Sequence, residues 1–197
     1  IFMQDIFQVQ RLERILKEKK LLLIIDEVQT GVYRSGNFLI SQYFGIKPDI
    51  VTLAKGLASG IPIGVMMTSL KDIFTFGDHG STFGGNHLST TVCKAVLKIL
   101  EKYSNSGKLS ENIKYFNSCL QYFTDKYPNI FLQKNGWGFM QGLVLKNEND
   151  LSNIVNLALK NGVLVLKSGK NIIRFLPPIK KKKKEIKEGF KRFEDLI

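Results

Sequence analysis

The chain has 197 residues, 44% of them hydrophobic, and a formal charge of +12; that is enough for one globular domain or two small ones. No apolar stretch reaches the roughly 18–20 residues a membrane span needs. The lysines are spread over helical surfaces without the aromatic-basic interleaving of a nucleic-acid site, so neither membrane nor nucleic acid is expected as a partner. Cys93 and Cys119 lie in helical patterns without ligand spacing, which favours a reduced, cytoplasmic setting and no metal.

The first segment, "IFMQDIFQVQRLERILKEKK", is an amphipathic helix pattern with Ile6, Val9, Leu12, Ile15 and Leu16 on one face. It starts without methionine and lacks the basic region and cleavage site of a signal peptide, so it reads as part of a longer protein. Five aliphatic residues, Leu21 to Ile25, then run into Asp26 and Glu27. A strand this apolar is expected to be buried on both faces, as in a parallel sheet covered by helices. "QTGVYRSGNF" is a glycine-containing loop, 38–44 a short helix, and Pro48-Asp49 shapes the turn into a second strand, Ile50 to Ala54. "KGLASGIP" is a turn and Ile63 to Thr68 a third strand, before the glycine-rich loop "FGDHGSTFGGN" at 76–86.

Helices are predicted over 88–103 and 108–126, the first burying Val92, Ala95, Val96, Ile99 and Leu100. Beyond them the rhythm changes. Strands at 130–133, 139–145, 163–167 and 172–176 alternate with helices at 149–161 and 181–195, an α+β layer. The expected organisation is therefore α/β in residues 1–104 followed by a smaller α+β domain in 105–197. The run Lys180 to Lys184 reads as the solvated first turn of the last helix.

Ligand sites in open α/β sheets lie at the carboxyl ends of strands, where Asp26 sits. Lys55, in "TLAKGL", follows 29 positions later (55 − 26). A carboxylate and a lysine delivered to one crevice can hold a cationic heterocycle and bond covalently to its aldehyde. Taken alone, "LLLIIDEV" also fits the strand of an ATP site that handles magnesium. That reading needs a G-x-x-x-x-G-K-[ST] phosphate loop. Gly169-Lys170 lacks the upstream glycine and the following hydroxyl, and nothing downstream supports it.

Together, "LLLIIDEVQTGVYRSGNF", "GIKPDIVTLAKGLASGIPIG", "GDHGSTFGGN" and "IIRFLPP" resemble the class III aminotransferases, pyridoxal phosphate enzymes of fold type I. The resemblance covers essentially the whole chain. It implies the C-terminal part of a large domain built on a mainly parallel sheet with helices, then a small C-terminal α+β domain. It implies Lys55 as the lysine joined to the cofactor as a Schiff base, with its freed amine then moving the substrate proton. Asp26 would pair with the pyridine nitrogen. Glu27, Val28 and Gln29 complete the "DEVQ" cofactor motif, Val28 against the ring and Gln29 on its phenolic oxygen. Thr82 would bind the cofactor phosphate of the other subunit, and Ser81 would lie near the substrate. Arg174 matches the arginine that takes a substrate carboxylate through its planar fork.

Within the family the chain looks most like the branch that moves an amino group from N-acetylornithine to 2-oxoglutarate in arginine biosynthesis. Relatives acting on ornithine, succinyldiaminopimelate, 4-aminobutyrate or diaminopelargonate share these motifs, and a non-catalytic fragment retaining the fold is the other alternative. The resemblance further implies a homodimer with an active site shared across its interface. Three positions depart from the family pattern: Tyr33 stands where a small residue is usual, His87 replaces a proline, and Asn135 an arginine. The phosphate-gripping loop and helix of the family lie outside the 197 residues. The chain by itself is therefore expected to be inactive and poorly soluble.

Overall fold

The computed structural model describes residues 4–197, which divide into two compact units, 4–105 and 106–197. The first unit begins with α1 (Ile6–Glu18), whose start is fixed by Asp5: its carboxylate accepts from the Phe7 and Gln8 amides. None of the helix's residues is buried. It is docked by polar ties instead. Gln10 donates to the Phe44 carbonyl, and Glu13 accepts from the Lys47 amide as well as from Lys17.

Three strands follow: β1 (Ile24–Asp26), β2 (Ile50–Leu53) and β3 (Val65–Thr68), in that order across one sheet. β1 and β2 run parallel, connected through the five-residue helix α2 (Ile40–Phe44). Asp49 staples their starts together, its carboxylate accepting from the Leu23 amide at 2.8 Å. β3 pairs antiparallel with β2. The connecting segment 54–64 is too short for the crossover a parallel strand would require, so the chain turns straight back. The burial expected of the first strand is not seen among the described residues: Leu21, Leu22 and Ile24 are each more than half exposed, and β1 pairs there with β2 alone.

α3 (His87–Asn105) is capped by Asn86, whose side-chain oxygen accepts from the Ser89 amide at 2.9 Å. Its buried positions are Ser89, Cys93 and Leu100. Ile99, expected on the buried face, is half exposed, since the face turned toward the Lys55–Ala58 turn is offset by about one residue from the most apolar stripe.

The second unit packs α4 (Lys108–Lys126), α5 (Asp150–Lys160) and α6 (Lys183–Glu194) with an antiparallel sheet. Its strands are β4 (Phe131–Trp137), β5 (Met140–Leu145), β6 (Leu166–Ser168) and β7 (Ile172–Phe175), ordered β4-β5-β7-β6. β4 is longer than expected and runs through Asn135. The β4–β5 hairpin turns at Gly138 and Phe139; Gly136 (φ 114°), still within β4 and paired with Gln141, sits where a side chain would strike the backbone of Met140 and Gln141. The core is aromatic: Phe123, fully buried, contacts the rings of Phe131, Phe190 and Phe193 at centroid distances of 6.0, 5.7 and 5.3 Å. Asn112 adds a buried polar pin, donating to the Lys181 carbonyl at the entry to α6.

Candidate active site

The parallel pairing of β1 and β2 brings the carboxyl ends of both strands to one sheet edge. Asp26 is in register with Thr52, and Lys55 comes three residues after Thr52. The Asp26 carboxylate is exposed but held: its Oδ1 accepts from the Val28 amide at 2.9 Å and from the Thr52 hydroxyl at 3.2 Å. Among the described residues Oδ2 accepts no hydrogen bond. A carboxylate oriented through one oxygen and open at the other suits a cationic ring N–H donor.

Lys55 opens a 3-10 turn, Lys55–Ala58, in the left-handed conformation at φ 49°. A left-handed non-glycine backbone costs about 1 kcal/mol or more and persists only where its surroundings impose it. Here Leu57 and Ala58 are buried and anchor the turn, leaving the lysine side chain exposed at the sheet edge.

Glu27 departs from the expectation of a cofactor contact. Its side chain is fully buried, and its carboxylate accepts from the Thr30 hydroxyl (2.9 Å), the Ile40 amide (2.8 Å) and the Ser41 amide (2.9 Å). Alternation along the end of the strand explains this: with Ile24 and Asp26 facing outward, Glu27 faces in. Val28 is half-buried beside Asp26, and Gln29 is exposed.

Downstream, the loop bends sharply. Val32 and Tyr33 both take left-handed conformations (φ 54° and 66°), the Val32 amide donating to the Phe38 carbonyl at 2.7 Å. The Tyr33 ring lies against Phe38 with centroids 5.7 Å apart, and burial, then the nearby Glu101 charge, pushes its phenol above the ordinary range. Burial likewise pulls the neighbouring Arg34 guanidinium down.

Ser81 and Thr82 lie in a segment exposed from Phe74 to Leu88. The Ser81 hydroxyl accepts from the Gly84 amide at 2.9 Å, and a side chain at Gly84 would collide with it. His79 stacks edge-on against Phe74 at 4.7 Å, ordering the loop beside Asp78. Among the described residues no hydrogen bond joins Ser81 or Thr82 to Asp26 or Lys55.

In the second unit, Arg174 stands on β7 between Gly142 of β5 and Leu166 of β6. It is therefore on an interior strand and not on an edge. Its Nε is buried and, among the described residues, has no hydrogen-bond partner. A buried guanidinium nitrogen left unsatisfied is uncommon and points to a missing acceptor, which a carboxylate supplies.

The sequence profile described as Aminotransferase class-III matches residues 2–197. The chain belongs to the class-III aminotransferases. It is 47% identical over 194 residues to the acetylornithine aminotransferase of Wolinella succinogenes, covering 98% of this chain and 49% of that enzyme. Among solved structures, the N-acetylornithine aminotransferase of Stenotrophomonas maltophilia is 28% identical with a TM-score of 0.83, covering 95% of this chain and 50% of that one. The ornithine aminotransferase of Toxoplasma gondii, crystallised with oxidised glutathione, is 26% identical with a TM-score of 0.85, covering 95% and 46%; it has PLP at partial occupancy in its active site. This class-III chain thus spans about half the length of the curated relatives it matches.

Two features of the site were missed by sequence reasoning: the inward turn of Glu27 and the left-handed backbone of Lys55. The first carried a signal, the period-two alternation after Asp26.

Proposed function

We propose that the complete protein is a pyridoxal-phosphate-dependent aminotransferase that moves the terminal amino group of N-acetylornithine to 2-oxoglutarate. It works as a cytoplasmic homodimer in arginine biosynthesis. In this reading residues 1–104 belong to the cofactor-binding large domain and 105–197 form the small domain. The observation that carries the chemistry is the delivery of Asp26 and Lys55 to one sheet edge by the parallel β1–β2 pair. The 47% identity to an acetylornithine aminotransferase supports the donor.

When bound, pyridoxal phosphate supplies an electron sink for the carbon that loses its proton. The chain's residues supply the rest. Asp26, through its open oxygen, keeps a proton on the ring nitrogen, and Thr52 and the Val28 amide keep Asp26 aimed. Val28 would pack on the ring and Gln29 would meet its phenolic oxygen. Lys55 would hold the cofactor covalently, and its amine, once freed by the donor amine, would move the proton of the donor carbon as general base and acid. Thr82 binds the phosphate held by the partner subunit, Ser81 borders the substrate, and Arg174 pairs a substrate carboxylate through Nε and a terminal nitrogen.

Borohydride reduction of the complete protein with pyridoxal phosphate, followed by peptide mass mapping, tests the chemistry. A pyridoxyl adduct on Lys55 is expected; scattered adducts on exposed lysines, or none, would refute it. A donor panel tests the substrate, and ornithine turning over faster than N-acetylornithine would transfer the assignment to ornithine.

A further inference from the structure

Glu27 is the most deeply buried ionisable side chain of the first unit, and it sits next to the exposed residue assigned to the ring nitrogen. Its backbone continues the ladder past the end of β1, the amide donating to the Thr52 carbonyl at 3.0 Å and the carbonyl accepting from the Gly31 amide at 2.9 Å. The space is closed around it. A side chain at Gly31 would come within 2.6 Å of Leu53 Cδ2 and 2.8 Å of the Glu27 carbonyl oxygen. Its two carboxylate oxygens face separate backbone donors, Oε1 the Ser41 amide and Oε2 the Ile40 amide, with the Thr30 hydroxyl also on Oε2. Only a carboxylate can accept at both oxygens: an amide in its place would set an N–H against an N–H.

These bonds join the end of β1 to the start of α2, thirteen and fourteen residues further along. The turn 27–31 is therefore held from both sides. Asp26 takes its orientation from inside that frame, because the Val28 amide that pins Oδ1 belongs to the same turn.

We propose that Glu27 is the positioning residue of the cofactor edge, a buried carboxylate that fixes the presentation of Asp26, Val28 and Gln29 without touching the cofactor. The proposal rests on the functional reading above. It assigns to Glu27 an effect on the ring-nitrogen contact, exerted through Asp26, beyond any effect on folding.

The test uses the complete protein, stripped of cofactor and titrated with pyridoxal phosphate by absorbance. Glu27→Gln is expected to weaken cofactor binding about ten-fold, the effect of one lost hydrogen bond to a charged group. It is also expected to move the pH midpoint of the bound chromophore, since Asp26 no longer holds the ring-nitrogen proton in one geometry. Thr30→Val, which removes a single donor, should do the same about three-fold more weakly, and it decides the matter if Glu27→Gln does not fold. Phe123→Ala, destabilising the second unit, serves as control and should leave the midpoint unmoved. Wild-type affinity and an unmoved midpoint in the Glu27 and Thr30 variants would overturn the proposal. Failure of the wild type to take up cofactor at all would instead overturn the functional reading, and this proposal with it.

Discussion

Arg174 offers a prediction in which stability and activity move in opposite directions. Among the described residues its Nε is buried without a partner, and an unsatisfied buried donor carries a desolvation cost of about 1–3 kcal/mol. Arg174→Met removes that donor while filling similar volume on an interior strand, between Gly142 and Leu166. The complete protein without substrate is therefore expected to gain about 1 kcal/mol, read as a rise in urea midpoint at constant slope. On the proposed function, the same change would also delete a two-pronged, charge-assisted contact to a substrate carboxylate. At about 1.5–3 kcal/mol per such bond, kcat/KM for 2-oxoglutarate should fall at least a hundred-fold. Arg174→Lys, which keeps the charge and loses the fork, should fall in between. Urea unfolding paired with steady-state kinetics gives both signs. Destabilisation by Arg174→Met together with kcat/KM within two-fold of wild type would show that the arginine is structural and its partner lies within the fold.

Two further predictions concern the second unit. Phe123→Ala removes the ring on which Phe131, Phe190 and Phe193 converge, and should destabilise the protein by about 3–5 kcal/mol by urea unfolding; a loss below about 1 kcal/mol would mean that the cluster closes over the gap. Glu194 accepts from Lys126, Tyr122 and Tyr127, tying α6 to α4, and the Lys126 ammonium foremost holds its carboxyl below the ordinary 4.5. A carboxylate with a depressed folded value contributes stability above its ordinary value and loses it as pH falls through the depressed one. Glu194→Gln should thus be less stable than wild type at pH 7, with the gap closing below about pH 4; a gap independent of pH would sink the assignment.

Much of the architecture was legible from period and punctuation. The helices at 108–126 and 149–161 and the strands around 139–145 and 172–176 follow apolar repeats bounded by glycine, asparagine and proline, and they form within a residue or two of their expected ends. Burial was less legible. The run Leu21–Ile25 is as apolar as a strand covered on both faces, yet in a chain that spans about half the length of its relatives Leu21, Leu22 and Ile24 are exposed, and exposure depends on neighbours, which local composition does not encode. At the candidate site, Asp26 and Lys55 stood out because strand ends and lysine spacing are local signals. Glu27 looked like their equal in sequence. Its separate role depends on where the start of α2 comes to rest, a tertiary fact carried by Ile40 and Ser41. Arg174 sits on an interior strand because β7 inserts between β5 and β6, a matter of strand order that a list of strands does not contain.

The bend at Val32 and Tyr33 has a consequence for how this loop can evolve. Tyr33 holds a backbone conformation that glycine adopts freely, and its ring rests on Phe38. Loss of the Phe38 ring removes one of the contacts that hold that strain and leaves the backbone bonds of the bend, whereas Tyr33→Gly removes the strain and the dependence together. The two positions are therefore epistatic, and the accessible path has a direction: glycine at 33 first, then drift at 38. A lineage that retains the tyrosine has its choice at 38 narrowed to side chains able to pack against that ring.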